Sequence, residues 1–151
     1  TFYRQVMFSE FELAIHEAVE RGEALTGSRM TQIYGEILKR YHGHRTGVMK
    51  ITDRETIEWA YIPHFYYNFY VYQYATSIAG AAYFVDRLNT GSEAVRETYI
   101  KFLEAGGSDY PLDILRAAGL DMTSRAPYNA VIDRMDAVMD QIEAILNTRG
   151  S

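Results

Sequence analysis

The sequence predicts an all-α fold, a bundle of about six helices with one long central helix. Apolar side chains recur every three or four residues, as they do on the buried face of a helix. Glycines and prolines separate the segments that show this spacing. Residues 59–85 contain no Lys, Arg, Asp or Glu, and a helix so poor in charge is tolerated inside a bundle. We therefore expect this segment to contain the longest and most buried helix.

The first predicted helix lies at the start of the chain. Its apolar residues recur at helical spacing, and they include Phe8, Phe11, Ile15 and Val19. Glutamates lie between these residues, and Gly22 is a natural stop. The segment is therefore expected to form one amphipathic helix.

The second predicted helix begins at Thr26 or Ser28, because either hydroxyl can accept a hydrogen bond from the first helical turn. It carries a further set of apolar residues and ends near Gly43, where glycine suits the conformation that follows a helix. Residues 45–56 are then expected to be mostly loop.

The third helix is predicted to begin at Pro63, since a proline in the first turn lacks only an N–H that the helix does not use. The next glycine is Gly80, so the helix is expected to run from residue 63 to about residue 88. Residues 75–82 are mostly small, which lets another backbone come close. This helix is therefore the predicted central helix.

Three more helices are predicted after residue 88. Ser92 is the expected N-cap of a helix over residues 93–104, which Gly106 and Gly107 end. Pro111 opens a short helix that ends near residue 119, and Pro127 opens a last one that runs to about residue 147. No internal repeat or interior linker is visible, so residues 1–151 are expected to belong to one domain.

Composition and charge narrow the classes of function. The 15 Lys and Arg and 20 Asp and Glu give a net charge of -5, and no basic cluster marks a nucleic-acid surface. The chain has no cysteine, so disulfides and thiolate chemistry are absent and a cytoplasmic location is expected. The many tyrosines of residues 59–85 make a membrane-spanning helix costly. The start at Thr1 is expected to lie within a longer protein.

The candidate site lies at the start of the predicted third helix. At about 100° per residue, Tyr67, Tyr70 and Tyr74 fall within an arc of about 60°, and His64 lies about 60° beyond. An imidazole and several phenols on one side can donate hydrogen bonds to a polarised carbonyl or an oxyanion. The alternative is that the tyrosine rings form part of the core and that His64 is a satisfied residue at a helix start.

Metal ligands are not predicted within the chain. Residues 16–20 (HEAVE) resemble half of a zinc-binding His-Glu-x-x-His sequence, but Glu20 stands where the second histidine is needed. His42 and His44 flank a glycine at a helix end and are expected to be surface residues. A glycine-rich phosphate loop, a nucleophile elbow and paired Glu-x-x-His sequences are also missing from the sequence.

Four segments carry a resemblance to a known family. They are TFYRQVMFSEFE (residues 1–12), IPHFYYNFYVYQYAT (62–76), FLEAGGS (102–108) and AGLD (118–121). These segments are similar to the C-terminal catalytic region of oligoendopeptidase F, which belongs to the thimet-oligopeptidase-like zinc metallopeptidases. The resemblance spans most of the chain, and two of its motifs are long.

The resemblance implies a function for the candidate site. In such peptidases a helix-borne His-Glu-x-x-His and a downstream glutamate bind zinc, while a later histidine and tyrosines hold the substrate carbonyl as it becomes tetrahedral. The resemblance assigns the later group to the histidine and tyrosines after Pro63, and the shared helical face separates catalytic from substrate-binding tyrosines. The expected catalytic residues are His64, Tyr67, Tyr70 and Tyr74, and the expected substrate-binding residues are Tyr66 and Tyr72.

The resemblance also implies what the chain lacks. The zinc ligands are expected upstream of Thr1, so these 151 residues are expected to be inactive without the rest of the enzyme, whose substrates would be short peptides. A truncation, a cleavage product and a separate subunit would all give this sequence. The alternative function is a non-catalytic helical module that binds peptides or has a structural role.

Overall fold

The chain is all-helical in the computed structural model, which describes residues 1–149. Six α-helices lie in this range: α1 (Phe2–Glu20), α2 (Gly27–Tyr41), α3 (Tyr72–Thr90), α4 (Glu93–Ala105), α5 (Pro111–Ala117) and α6 (Ala126–Arg149). Three 3₁₀ helices connect α2 to α3: His44–Thr46, Glu55–Tyr61 and Pro63–Tyr66. The predicted all-α class is confirmed. No strand occurs among residues 1–149, and Gly150 and Ser151 lie outside the described residues.

The chain folds as two compact units. The first is Thr1–Ala75 and the second begins at Thr76, so the boundary falls within α3. The expectation that all residues belong to one domain stays a prediction.

The core of the first unit lies between α1 and α2. Phe11 is fully buried, and its ring packs edge-on against Tyr34 at 5.2 Å and against Phe65 at 5.1 Å between centroids. Trp59 packs against these core side chains, and its indole N–H donates to the hydroxyl of Thr31 at 3.0 Å. The buried cluster is Met7, Phe8, Phe11, Tyr34, Ile37, Leu38, Ile51 and Val71.

The ends of the first two helices follow the sequence signals. Gly22 adopts a positive φ of 80° just after α1, a conformation that glycine reaches without steric cost. Thr26 is the N-cap of α2, and its hydroxyl accepts the backbone N–H of Arg29 at 3.2 Å. Both predictions are confirmed, with Thr26 and not Ser28 as the cap.

The predicted start of the third helix is wrong. Pro63 opens only the short 3₁₀ helix, and α3 begins nine residues later, at Tyr72. Between them Asn68 and Phe69 have φ values of 47° and 57°, which lie in the left-handed region and cannot continue a right-handed helix. The helix ends at Thr90, close to the predicted end near residue 88.

The predicted rank of this helix is also wrong. At 19 residues α3 equals α1 in length, and the 24 residues of α6 make it the longest helix within residues 1–149. Along α3 the buried positions are Ala75, Ala79 and Gly80, whereas α1 buries larger side chains such as Phe8 and Phe11. The low charge of residues 59–85 therefore does not reflect one buried helix.

The second unit contains most of α3 together with α4, α5 and α6. Phe84 of α3 stacks on Phe102 of α4 at 5.2 Å. A Cβ atom at Gly80 would lie 3.3 Å from the side chain of Leu120, so the small residue there permits the close approach of a leucine side chain, whereas the approach of another backbone was predicted. Tyr83 donates to the carbonyl of Gly119 at 2.7 Å.

The last helix presents its apolar stripe to solvent. The predicted stripe is present on α6, but several of its side chains are at least 36% exposed. These exposed residues are Ile132, Met135, Val138, Met139, Ile142, Ile145 and Leu146. Within the part of the chain that the structure describes, no helix is long and apolar enough to cross a membrane.

Candidate active site

His64 and three tyrosines lie together in the first unit. The ring of His64 contacts those of Tyr67, Tyr70 and Tyr74 at centroid distances of 6.4, 6.0 and 5.4 Å. Tyr70 also lies 6.0 Å from Tyr67 and 5.7 Å from Tyr74. The four predicted catalytic side chains therefore form one continuous aromatic cluster, hereafter the His64 cluster.

These residues do not share the face of one α-helix, so the prediction of a common helical face is wrong. Tyr67 ends the 3₁₀ helix as its C-cap and Tyr70 precedes α3, so neither stands on an α-helix. They meet because the two left-handed residues between them, Asn68 and Phe69, redirect the chain. The rings of Tyr70 and His64 are then nearly parallel, with 16° between their planes.

One hydrogen bond joins the histidine to α3. The hydroxyl of Tyr74 lies 3.1 Å from Nε2 of His64. When His64 carries its proton on Nε2, the imidazole donates this bond to the Tyr74 oxygen, and the phenolic proton stays free to donate elsewhere. A hydrogen bond with Tyr70 is the main cause that raises the pKa of Tyr74, and burial adds to it. The phenol therefore keeps its proton at neutral pH and remains a hydrogen-bond donor.

The exposure of the cluster distinguishes it from a core. Tyr67 is 61% exposed and Tyr70 is 40% exposed, while His64 and Tyr74 are partly buried. Side chains of the hydrophobic core in the same unit, such as Phe11, have no exposed surface. The cluster can therefore present hydroxyl groups to a bound molecule, which a set of core tyrosines could not.

The two tyrosines expected to bind substrate lie between members of the cluster along the chain. Tyr66 is exposed, and its hydroxyl donates to the carbonyl of Ala60 at 3.0 Å. Tyr72 is the first residue of α3 and is also exposed. The ring contacts that bind the cluster together run through Tyr67, Tyr70 and Tyr74.

A buried carboxylate on α1 supports the turn beside the cluster. Glu12 is only 1% exposed, and its carboxylate accepts the backbone N–H of Phe69 at 2.7 Å. Glu12 is one of the glutamates that lie between the apolar residues of α1, and this role was not predicted. A signal was present, because Glu12 follows Phe8 by four residues and therefore lies on the apolar face of α1.

The other three histidines have structural contacts. The ring of His16 lies 4.2 Å from that of Phe69, His42 Nδ1 bonds to the carbonyl of Leu38 at 3.0 Å, and His44 Nδ1 accepts the N–H of Ile51 at 3.0 Å. His42 and His44 are partly buried, more than the surface prediction implied. Among residues 1–149 no three His, Asp or Glu side chains are placed to hold a metal ion.

Comparison with known proteins agrees with the resemblance of the sequence. The model of peptidase family M3 matches residues 1–134. Oligopeptidase PepF of Bacillus subtilis (strain 168) is 41% identical over 147 residues, which are 97% of this chain and 21% of that protein. Group B oligopeptidase PepB of Streptococcus agalactiae serotype III (strain NEM316) is 45% identical over 126 residues, 82% of this chain and 20% of that protein.

A solved structure has the same fold. The crystal structure of oligoendopeptidase-F from Enterococcus faecium matches with a TM-score of 0.89 and 34% identity. The match covers 97% of this chain and 28% of that one. The chain spans about a fifth of the length of the two curated relatives described above.

Proposed function

Because this chain belongs to peptidase family M3, we propose that it is the C-terminal part of a zinc metallo-oligopeptidase that hydrolyses peptide bonds in short peptides. Two relatives that match it are named oligopeptidases, and the chain corresponds to a fifth of their length. The absence of cysteine suits a reducing compartment such as the cytoplasm. The remaining part of the same protein would be its partner.

The role proposed for the His64 cluster is to bind the transition state. As a peptide carbonyl becomes tetrahedral, its oxygen gains negative charge, and donors placed in advance around that oxygen stabilise the charge. The phenols of Tyr67, Tyr70 and Tyr74 supply such donors, and an imidazole that donates from Nε2 to the Tyr74 oxygen leaves the phenolic proton of Tyr74 free for the substrate. The hydrogen bond between Tyr74 and His64 is the observation that carries this proposal.

The substrate-binding role is proposed for the neighbouring exposed tyrosines. Tyr66 and Tyr72 are exposed phenols within two residues of members of the cluster. Their rings offer apolar area and a polar end, a combination that suits contact with a peptide backbone and its side chains.

Zinc is assigned to the remaining part of the protein. The described residues of this chain bring no set of metal ligands together, so these residues do not fit a zinc site. The chain alone is accordingly proposed to be inactive, and the activity would appear only with the remaining part.

The proposal is tested on the full-length protein with a fluorogenic peptide of about ten residues. We expect hydrolysis that is lost on treatment with a zinc chelator and recovered on adding zinc, and no hydrolysis by residues 1–151 alone. If the protein were instead the non-catalytic peptide-binding module considered above, it would bind the same peptide without cleaving it. Hydrolysis that survives complete removal of metal would contradict the metallopeptidase assignment.

A further inference from the structure

The turn between Tyr67 and Tyr70 has an unfavourable backbone. Asn68 and Phe69 are the two non-glycine residues within residues 1–149 with positive φ. Asparagine adopts this region with little cost because its short polar side chain can bond locally. Phenylalanine gains nothing of this kind, so its conformation must be maintained by its surroundings.

Two side chains of α1 contact Phe69. The carboxylate of Glu12 accepts its backbone N–H at 2.7 Å, and the ring of His16 packs on its ring at 4.2 Å with 32° between the planes. Glu12 and His16 are four residues apart, so they lie on the same face of the helix. Glu12 therefore holds the backbone of Phe69, and His16 holds its side chain.

The conformation of Phe69 determines where the next residue lies. Tyr70 stacks on His64 at 6.0 Å and contacts Tyr67 at the same distance. If Phe69 took an ordinary negative φ, the chain after it would leave in another direction. Tyr70 would then lose its place beside His64.

We propose that Glu12 is a positioning residue for the His64 cluster. Its buried carboxylate, supported by the His16 ring, holds Phe69 in the left-handed conformation that sets Tyr70 against His64. This inference rests on the proposed function, because the placement of Tyr70 affects turnover only if the cluster binds the transition state.

The test compares kcat and KM of Glu12 variants in the full-length protein. Glu12→Leu keeps the size of the side chain and removes the acceptor, so kcat is expected to fall about 10- to 100-fold with KM changed about threefold at most. Glu12→Gln keeps an acceptor oxygen and is expected to retain kcat within about fivefold. If Glu12→Leu does not fold, Glu12→Asp decides, because its shorter side chain withdraws the carboxylate from Phe69.

Glu10→Leu is the matched control on the same helix. The carboxylate of Glu10 is bound by Arg40 and by the hydroxyl of Tyr41, so its loss weakens the contact between α1 and α2 without touching the turn. We expect kcat to be unchanged in this variant, although its melting temperature should fall.

The possible outcomes separate this inference from the proposed function. A normal kcat for Glu12→Leu together with a large loss for His64→Ala would refute the positioning role and leave the proposed function intact. A normal kcat for His64→Ala would refute the transition-state role proposed for the His64 cluster. An equal fall in kcat for Glu12→Gln and Glu12→Leu would refute the positioning role of the carboxylate. An equal fall in kcat for Glu12→Leu and Glu10→Leu would refute it as well.

Discussion

Replacement of Tyr74 by phenylalanine isolates one hydrogen-bond donor of the proposed site. The hydroxyl lies 3.1 Å from His64 Nε2, while the ring is held by edge-on contacts at 5.4 Å to His64 and 5.7 Å to Tyr70. Phenylalanine keeps those ring contacts and loses the hydroxyl together with its hydrogen bonds to His64 and Tyr70. The substitution should therefore act on chemistry more than on folding.

The expected effect of Tyr74→Phe on turnover is large. Removing one well-placed donor to a developing oxyanion lowers kcat about a hundred- to a thousandfold, whereas the affinity for the unreacted peptide changes much less. Steady-state kinetics of the full-length protein with a fluorogenic peptide would measure both quantities. The zinc content and the melting temperature should match those of the wild type.

The control for this experiment is Tyr41→Phe. The Tyr41 hydroxyl donates to Glu10 at 3.0 Å, so the variant also loses one phenolic hydrogen bond, but between α1 and α2. Its kcat should equal that of the wild type. If Tyr74→Phe also keeps its kcat, or if it loses activity only because zinc is lost, the proposed role of the phenol is refuted.

Three further predictions concern folding and pH. Thr26→Ala removes the N-cap bond to Arg29 and should destabilise the first turn of α2 by about 1 kcal/mol. Amide hydrogen exchange in that turn should become about fivefold faster, and unchanged exchange would refute the capping role. Phe11→Ala empties the centre of the first core and should cost about 3 to 5 kcal/mol, measured by denaturant unfolding of the first unit; a loss below 1 kcal/mol would contradict the packing. Burial would raise the pKa of Glu58, but hydrogen bonds from Arg4 and Tyr34 outweigh it and lower the pKa overall. The ionised Glu58 therefore stabilises the fold above the unfolded pKa of about 4.3, and this stabilisation is lost as the pH falls through the lower folded pKa. Glu58→Gln should then lose less stability than the wild type on acidification. An unchanged dependence of unfolding free energy on acidic pH would refute this role of Glu58.

The sequence predicted those helices whose ends are marked by local signals. Thr26 caps α2 through a bond within its own first turn, and Pro111 lies in the first turn of α5. Such features depend on neighbouring residues only, so they can be read without knowledge of the fold. The same holds for the spacing that placed Phe8 and Phe11 in the core.

The interruption of the third helix could not be predicted in this way. Asn68 and Phe69 leave the helical region although no glycine or proline stands there. The backbone N–H of Phe69 donates to Glu12, which lies 57 positions earlier in the chain. The sequence of residues 63–88 alone does not indicate that contact. The candidate residues His64, Tyr67 and Tyr70 were gathered by a helical period that their segment does not follow.

The contact between Glu12 and Phe69 has a consequence for engineering. Because the geometry of the His64 cluster depends on a residue so far away in the chain, residues 61–74 do not carry the arrangement by themselves. Grafted onto another scaffold, that segment would keep its tyrosines but lose the support that sets their positions. A transplant would have to include α1 with the loop, so the smallest portable unit is a pair of elements joined by a tertiary contact.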